Sequence, residues 1–169
     1  MGISGSGKTT LATELALRLQ LPHVELDSIF HQPGWTPLPD EDFAQEVTAR
    51  LQSSSWVVDG NYSQISRLVL DQCDTLILLD YSRALVMRRI VPRTVRRGLL
   101  RQQLWNGNRE SIMNIFTLDP EYNILLWAWT MHGRRHLSNL EYEAEFRAAG
   151  RTVHRFASPR QTERWLLSV

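Results

Sequence analysis

Three glycines stand among residues 2–7, directly before a helix-forming stretch, and they constrain the fold more than any other feature of the chain. Residues 2–9, GISGSGKT, fit the pattern G-x-x-x-x-G-K-[ST] at every defined position. Glycine at these positions lets the backbone turn tightly, so that consecutive N–H groups point into one concavity. The helix that follows adds the positive end of its dipole. The stretch therefore predicts a phosphate-binding loop.

Two side chains of this loop carry the expected chemistry. Lys8 can reach the β- and γ-phosphates of ATP, and the Thr9 hydroxyl can ligate Mg²⁺. Lys8 is also the only lysine among nineteen basic residues, which indicates a position where a compact ammonium fits and a planar guanidinium does not. The residues of this loop that are predicted to bind the nucleotide are Gly2, Ser4, Gly5, Ser6, Gly7, Lys8, Thr9 and Thr10.

A phosphate loop of this kind normally follows a buried strand in the middle of a parallel sheet. Here only Met1 precedes Gly2, and a sheet without that strand leaves backbone donors and acceptors unpaired. We expect that the sequence starts late and that the first strand is missing from this chain. An intact N-terminus at Met1, found by mass spectrometry of the protein from its native host, would contradict this expectation.

Downstream, short apolar stretches alternate with stretches of helical periodicity. The predicted strands cover residues 23–26, 56–58, 75–79 and 151–156, and the predicted helices cover residues 8–20, 40–51, 65–70, 81–104, 121–148 and 159–167. This alternation predicts an α/β fold with a parallel sheet, in a single domain over residues 1–169. Ligands of such sheets bind beyond the carboxyl ends of the strands, where Asp27, Asp59 and Asp80 stand.

Composition excludes several other classes of protein. With 43% hydrophobic and 22% charged residues, the chain is too apolar to be disordered. The single cysteine, Cys73, allows neither an intramolecular disulfide nor a cysteine-rich zinc site. No apolar stretch approaches the roughly 20 residues that span a bilayer, and the N-terminus has no apolar signal-peptide core. We therefore expect a cytoplasmic protein with no membrane partner.

The charges are divided unevenly along the chain. Residues 1–80 carry four basic and eleven acidic side chains, whereas residues 81–169 carry fifteen arginines and seven acids. Eight of those arginines lie between Tyr81 and Arg109, with no acid among them. Such a block favours an anionic partner, either a polyphosphate or a nucleic acid, and its alternative is a solvated helix face.

The three aspartates at the strand ends have different predicted roles. Asp59 can hold Mg²⁺ opposite Thr9, and we favour it over Asp80, which fits a loose apolar-run-then-Asp pattern but also suits a helix cap. Asp27 can accept a hydrogen bond from the hydroxyl of an acceptor substrate and act as a base, and its alternative is again a capping role.

Further motifs lie in the rest of the chain. They are LDSIF at 26–30, PGW at 33–35, WVVDGNY at 56–62, LWNGNRE at 104–110 and LWAW at 126–129. Together with the phosphate loop, these motifs resemble the bacterial "DNA topology modulation protein" group of adenylate-kinase-like P-loop NTPases, over nearly the whole chain.

The resemblance implies a three-layer α/β/α P-loop NTPase core of the nucleotide-kinase type, with the sheet order 2-3-1-4-5. It also implies that residues of about 88–110 form an arginine-rich lid over the phosphates, with Arg93 and Arg97 at the transferring group. By the same analogy, Arg160 lies near the adenine.

The leading hypothesis is an ATP- and Mg²⁺-dependent phosphotransferase acting on a nucleotide or another small molecule. Asn61, Tyr62 and Trp35 are candidates for the acceptor pocket, and His132 and His136 are interpreted as surface residues. One alternative is a nucleotide-binding regulatory protein with little turnover, whose arginines bind nucleic acid without sequence specificity. Hydrolysis of ATP with no acceptor is another.

Overall fold

The computed structural model describes residues 1–109, 113, 117, 119 and 123–169. This part of the chain has a mixed α/β fold with four strands: β1 (His23–Glu25), β2 (Val57–Asp59), β3 (Thr75–Leu79) and β4 (Thr152–Phe156). Its helices are α1 (Lys8–Leu19), α2 (Leu26–Phe30), α3 (Asp40–Arg50), α4 (Ser66–Leu70), α5 (Arg83–Leu99), α6 (Ile124–Ala148) and α7 (Pro159–Leu166). Short 3₁₀ turns cover Pro33–Trp35, Ser63–Ile65 and Trp105–Gly107.

The four strands form two small parallel sheets. β1 pairs with β2, which sets Glu25 opposite Asp59, and β3 pairs with β4, which sets Leu79 opposite Phe156. The predicted strands and their parallel direction are therefore confirmed. In the described residues the two sheets are separate, with two strands each.

Residues 1–3 lie against β3 and lead into the glycine-rich loop. The Leu79 amide donates to the Met1 carbonyl at 2.9 Å, and Gly2 forms a parallel bridge with Leu79. The side-chain amide of Asn61, just beyond β2, donates to the Gly2 carbonyl. This segment therefore contacts both the end of β3 and the residues that follow β2.

Apolar faces with helical spacing pack against each sheet. The apolar face of α3 is buried, because Phe43, Val47 and the following Leu51 pack with Val24 of β1. On α1 the apolar side chains between Leu11 and Ala16 are buried. Leu19 is 43% exposed, because the helix ends there and Gln20 adopts a left-handed conformation. Ile3, Leu11, Val86, Ile90 and Ala128 join the loop segment, α1, α5 and α6 in one core beside β3.

Several predicted boundaries were wrong. Leu26 begins α2 instead of ending β1, and α3 ends at Arg50, one residue before its predicted end. Helix α5 ends at Leu99, five residues before the predicted end. The predicted start of the long helix at Glu121 lies outside the described residues, as does the end of the predicted lid at Glu110.

A search of the described residues for a helix both long enough and apolar enough to cross a membrane found none.

Candidate functional site

The glycine-rich loop is held in a conformation that other residues rarely adopt. Gly5 and Gly7 have φ angles of 85° and 94°, in the left-handed region that favours glycine. A side chain at Gly5 would place its Cβ 2.9 Å from the Cβ of Ile90, so that helix α5 could not pack as closely on the loop. The Ser6 amide donates to the Ile3 carbonyl at 3.1 Å and closes the turn.

Lys8 begins α1 and folds back over this loop. Its Nζ donates to the Ile3 carbonyl at 3.3 Å. Burial lowers the pKa of Lys8, while the carboxylates of Asp27 and Asp59 act in the opposite direction. The ammonium therefore lies in the field of two carboxylates, at the carboxyl ends of β1 and β2.

Asp59 forms the direct link between β2 and the first turn of α1. The Thr9 hydroxyl donates to Asp59 Oδ2 at 2.6 Å, and the His23 ring hydrogen-bonds Asp59 Oδ1 at 2.8 Å. The carboxylate is only 7% exposed, and hydroxyl and carboxylate oxygens are ligands that Mg²⁺ prefers. In the part of the chain that the structure describes, no group of three or more His, Cys, Asp or Glu side chains could hold a metal ion.

Asp80, the alternative metal ligand, has a different environment. Arg155 donates to Oδ2 at 2.7 Å, the His136 ring bonds the same oxygen at 2.9 Å, and Asn139 donates to Oδ1 at 3.3 Å. Burial alone would raise the pKa of Asp80, but these hydrogen bonds outweigh it and lower the pKa. The carboxylate therefore ties β3 to β4 and α6.

The two histidines of α6 have structural partners. His136 bonds Asp80, and the His132 ring hydrogen-bonds the Tyr81 carbonyl at 2.9 Å. Both side chains are only half-buried, but they are held by contacts that the sequence did not predict.

Asp27 lies in α2 beside Tyr62. The Tyr62 hydroxyl donates to Asp27 Oδ1 at 2.7 Å and lies 3.4 Å from His31 Nε2. Burial and the Asp27 carboxylate raise the pKa of Tyr62, and burial lowers the pKa of His31, so both groups favour their neutral forms. Of the predicted acceptor residues, Tyr62 therefore contacts Asp27, whereas Asn61 supports the loop at Gly2.

Helix α5 brings arginines onto the loop. Arg89 donates to the Ser6 carbonyl and Arg93 to the Ser4 hydroxyl, both at 3.2 Å, and Arg97 follows one turn later. Arg93 and Arg97 were predicted to lie at the transferring group, whereas Arg89 was not, although the i, i+4, i+8 spacing of the three could have identified it. Arg160 and Thr10 are exposed, and among the described residues Arg160 makes no hydrogen bond to the loop.

Two turns that contain left-handed residues are hydrogen-bonded to each other beside α2. We call residues 33–35 and 105–108 the clasp. The Trp35 amide donates to Asn108 Oδ1 at 2.9 Å, and Asn106 Nδ2 donates to the carbonyls of Ser28 and His31 at 3.0 and 2.7 Å. Trp35 and Asn106 have φ angles of 60° and 54°. Trp35, predicted for the acceptor pocket, therefore packs in the clasp and against His31.

Comparisons of the chain with protein-family models and with curated proteins gave no match. The functional interpretation therefore depends on the residues of this chain and their geometry.

Proposed function

We propose that this protein is an ATP-dependent phosphotransferase with a P-loop of the nucleotide-kinase type. The observation that carries the proposal is the hydrogen bond from Thr9 to Asp59, since it joins the first turn of α1 to the end of β2 beside Lys8. A phosphate-binding lysine, a hydroxyl and a carboxylate in that arrangement are the parts that a P-loop enzyme needs to hold Mg-ATP.

The strand arrangement supports a nucleotide-kinase-like core. Residues 1–3 bridge to Leu79 of β3, and Gly2 accepts a hydrogen bond from Asn61, which follows β2. In a three-layer α/β/α fold with the order 2-3-1-4-5, the segment before the phosphate loop would stand between the strands that correspond to β2 and β3, so these two contacts support that order.

In this proposal each group has one role. Lys8 binds the β- and γ-phosphates of the donor, and Arg89 and Arg93 hold the loop and face its anionic ligand. Thr9 and Asp59 fit Mg²⁺, because both offer oxygen atoms and they are already in contact. When bound, Mg²⁺ neutralises charge on the phosphate oxygens. Asp27 orients the acceptor.

Removal of Lys8 tests the proposal. A hydrogen bond from a charged group is worth about 1.5–3 kcal/mol, which corresponds to a loss of roughly tenfold to a hundredfold in affinity. We expect Lys8→Ala to weaken Mg-ATP binding by that factor in calorimetric titration and to abolish turnover. Arg50→Ala is the control, because Arg50 is an exposed cation at the end of α3. Equal affinity in the two variants would refute the proposal.

A regulatory protein that binds nucleotide and nucleic acid is the second candidate. The observation that favours it is the exposure of Arg88, Arg96 and Arg101 along α5 and just after it. These arginines would contact phosphates without reading sequence, and binding would weaken steeply with salt as counterions are released. Affinity for nucleic acid with that salt dependence, in the absence of phosphoryl transfer, would favour this candidate.

A further inference from the structure

A cavity of about 390 Å³ lies between helix α6 and the turn that follows β2, whose residues 61–64 and 66 form one wall. The other wall is one face of α6, because its lining residues recur at intervals of three or four positions. They are Trp127, Met131, Arg134, Arg135, Ser138 and Tyr142. Two of these side chains are cations, and no described Asp or Glu lines the cavity. The cavity therefore has a positive wall with no carboxylate to balance it.

Arg135 has no anionic partner among the described residues. Its side chain is half-buried, and it donates no hydrogen bond to any of them. Burial lowers the pKa of Arg135, while Tyr142 acts in the opposite direction. A guanidinium nevertheless stays charged at neutral pH, and a buried donor without a partner is costly. The N–H groups of Arg135 are therefore available to an anion that enters the cavity.

Two observations relate this cavity to the proposed site. Arg135 is close enough to Lys8 to lower the pKa of that ammonium. Tyr62 lines the cavity, and its hydroxyl donates to Asp27 Oδ1 at 2.7 Å. A ligand of the cavity would therefore lie in the field of the phosphate-loop lysine and one side chain away from Asp27.

The donor's phosphates would not use the charge of Arg135. Lys8 and Arg93 both hydrogen-bond residues of the phosphate loop, at Ile3 and Ser4, so the phosphates of ATP would neutralise them there. Arg135 makes no hydrogen bond to that loop in the described part of the chain. Its charge is therefore left for a second anion beside the donor.

We infer that this cavity binds the phosphate group of the acceptor, and that the acceptor is a phosphorylated alcohol whose free hydroxyl reaches Asp27. This inference rests on the proposed function and specifies its substrate class. Arg134 and Arg135 match the two negative charges that a phosphate monoester carries near neutral pH, and guanidinium donors match its oxygens. A carboxylate has one charge and two oxygens, so it would leave donors of this wall unused.

Other side chains of the cavity suit such a molecule. The hydroxyls of Ser138 and Tyr142 hydrogen-bond no other described residue, so they can donate to phosphate oxygens. Trp127 and the ring of Tyr62 offer apolar surface to the group that carries the phosphate. The volume falls in the range of about 300–1,000 Å³ that is typical of small-molecule sites.

The group of the acceptor that reaches Asp27 is a neutral hydroxyl, because that carboxylate would repel a second anion. Tyr62 donates to Oδ1 of Asp27, and among the described residues no side chain donates to Oδ2, which accepts the hydroxyl. The acceptor O–H bond breaks and its proton passes to Asp27, while the acceptor oxygen forms a bond to the γ-phosphorus. The bond from the γ-phosphorus to the β,γ-bridging oxygen breaks, and its electron pair leaves with ADP.

The first test is binding, with the phosphate loop saturated by Mg²⁺ and a non-hydrolysable ATP analogue. The probes are phenyl phosphate, benzoate and phenol, which share a ring and differ in charge. We expect phenyl phosphate to bind most tightly in calorimetric titration and phenol to give no measurable binding. Arg135→Gln should weaken the binding of phenyl phosphate by about tenfold or more, because a charged hydrogen bond is lost. The affinity for the ATP analogue should change little, which also shows that the variant is folded.

Matched variants separate this site from a general effect of charge. Arg147→Gln removes an exposed cation from the same helix, where Arg147 pairs with Glu143, and it should leave both affinities unchanged. Arg135→Lys keeps the charge but loses the planar set of donors, so its affinity for phenyl phosphate should be intermediate. Equal losses in Arg135→Gln and Arg147→Gln would overturn the inference.

The second test is turnover with acceptors that differ by one phosphate, glycerol 3-phosphate with glycerol and ribose 5-phosphate with ribose. The phosphorylated member of each pair should accelerate the consumption of Mg-ATP, and Arg135→Gln should abolish the acceleration. Phosphorus NMR should show a second monoester in the product, since the new phosphate is on a hydroxyl.

The outcomes separate the two proposals. Tighter binding of benzoate than of phenyl phosphate, acceleration by the unphosphorylated acceptors alone, or a product with a diphosphate bond would each overturn the inference and leave the phosphotransferase standing. No acceleration by either phosphorylated acceptor would also overturn it. A protein that neither binds the ATP analogue nor consumes Mg-ATP would overturn the proposed function itself.

Discussion

Asp59 and Asp80 occupy the same kind of position in the sequence, each after an apolar run. Their hydrogen-bond partners nevertheless give the two carboxylates different abilities to bind a cation. The Asp59 carboxylate contacts a hydroxyl and an imidazole, whereas Asp80 contacts a guanidinium, an imidazole and an amide. A carboxylate neutralised by a guanidinium is a poor partner for a cation. The local sequence could not distinguish them, because Arg155 and Asn139 lie more than fifty residues away from Asp80.

Substitution of Asp59 tests its assignment to the metal. Asp59→Asn keeps an oxygen for the Thr9 hydroxyl but removes the charge, so we expect the Mg²⁺ concentration for half-maximal ATP turnover to rise by about tenfold or more. A Mg²⁺ titration at fixed ATP measures this. Asp80→Asn is the control, and an equal rise in both variants would contradict the assignment.

At the scale of elements, Asp80 joins β3, β4 and α6 through the side chains of Arg155 and His136. Its folded pKa lies below the unfolded value of about 3.9. The stabilisation is therefore fully present above the unfolded pKa and is lost as the pH falls through the folded pKa.

Asp80→Asn should lower the free energy of unfolding by about 1.5–3 kcal/mol at pH 7, because a charged hydrogen-bond acceptor is removed from donors that remain. Urea unfolding at pH 7, 5 and 3 measures this. The difference in the free energy of unfolding between the variant and the unchanged protein should be smallest at pH 3. Glu145→Gln, in an exposed pair with Arg67, is the control and should have little effect. A difference that stays constant with pH would contradict this account.

Whether a feature could be predicted from the sequence depended on how far apart along the chain its interacting residues lie. The strands and helix α3 follow from patterns within a few residues, so they were predicted nearly in place. The contact of Asn61 with Gly2 spans 59 residues, and that of Arg89 with Ser6 spans 83. The Asn61 contact leaves no local pattern in the sequence, whereas the four-residue spacing of Arg89, Arg93 and Arg97 places them on one face of α5. The predicted roles of the loop and of Asp59 depend on residue types alone, and they remain predictions.

At the scale of the whole molecule, the clasp connects the acidic half of the chain to the arginine-rich half. Asn106 and Asn108 reach back across more than seventy residues to His31 and Trp35. Because Arg93 lies on α5 and Asp27 on α2, the clasp links the chain that follows α5 to the helix that carries the proposed acceptor-orienting carboxylate.

Opening of the clasp can be measured directly. Asn106→Asp keeps the shape of the side chain but removes its donor, so about two hydrogen bonds are lost and exchange of the amides in residues 28–36 should accelerate by roughly tenfold or more. The urea midpoint should also fall, because the lost hydrogen bonds stabilise the native state relative to the unfolded chain as well. Glycine readily adopts the left-handed backbone of residue 106 and lacks the side-chain amide. Asn106→Gly should therefore accelerate amide exchange as Asn106→Asp does. Unchanged exchange in both variants would show that the clasp is not held by Asn106.

The solitary lysine has a practical consequence for spectroscopy. With every other basic side chain an arginine, growth on isotopically enriched lysine places a single nuclear probe in the entire molecule, and that probe lies on the phosphate loop. Its resonance reports the environment of one ammonium group, with no overlap from any other lysine. A titration followed at that one signal would resolve occupancy, protonation and exchange of the site in the intact chain.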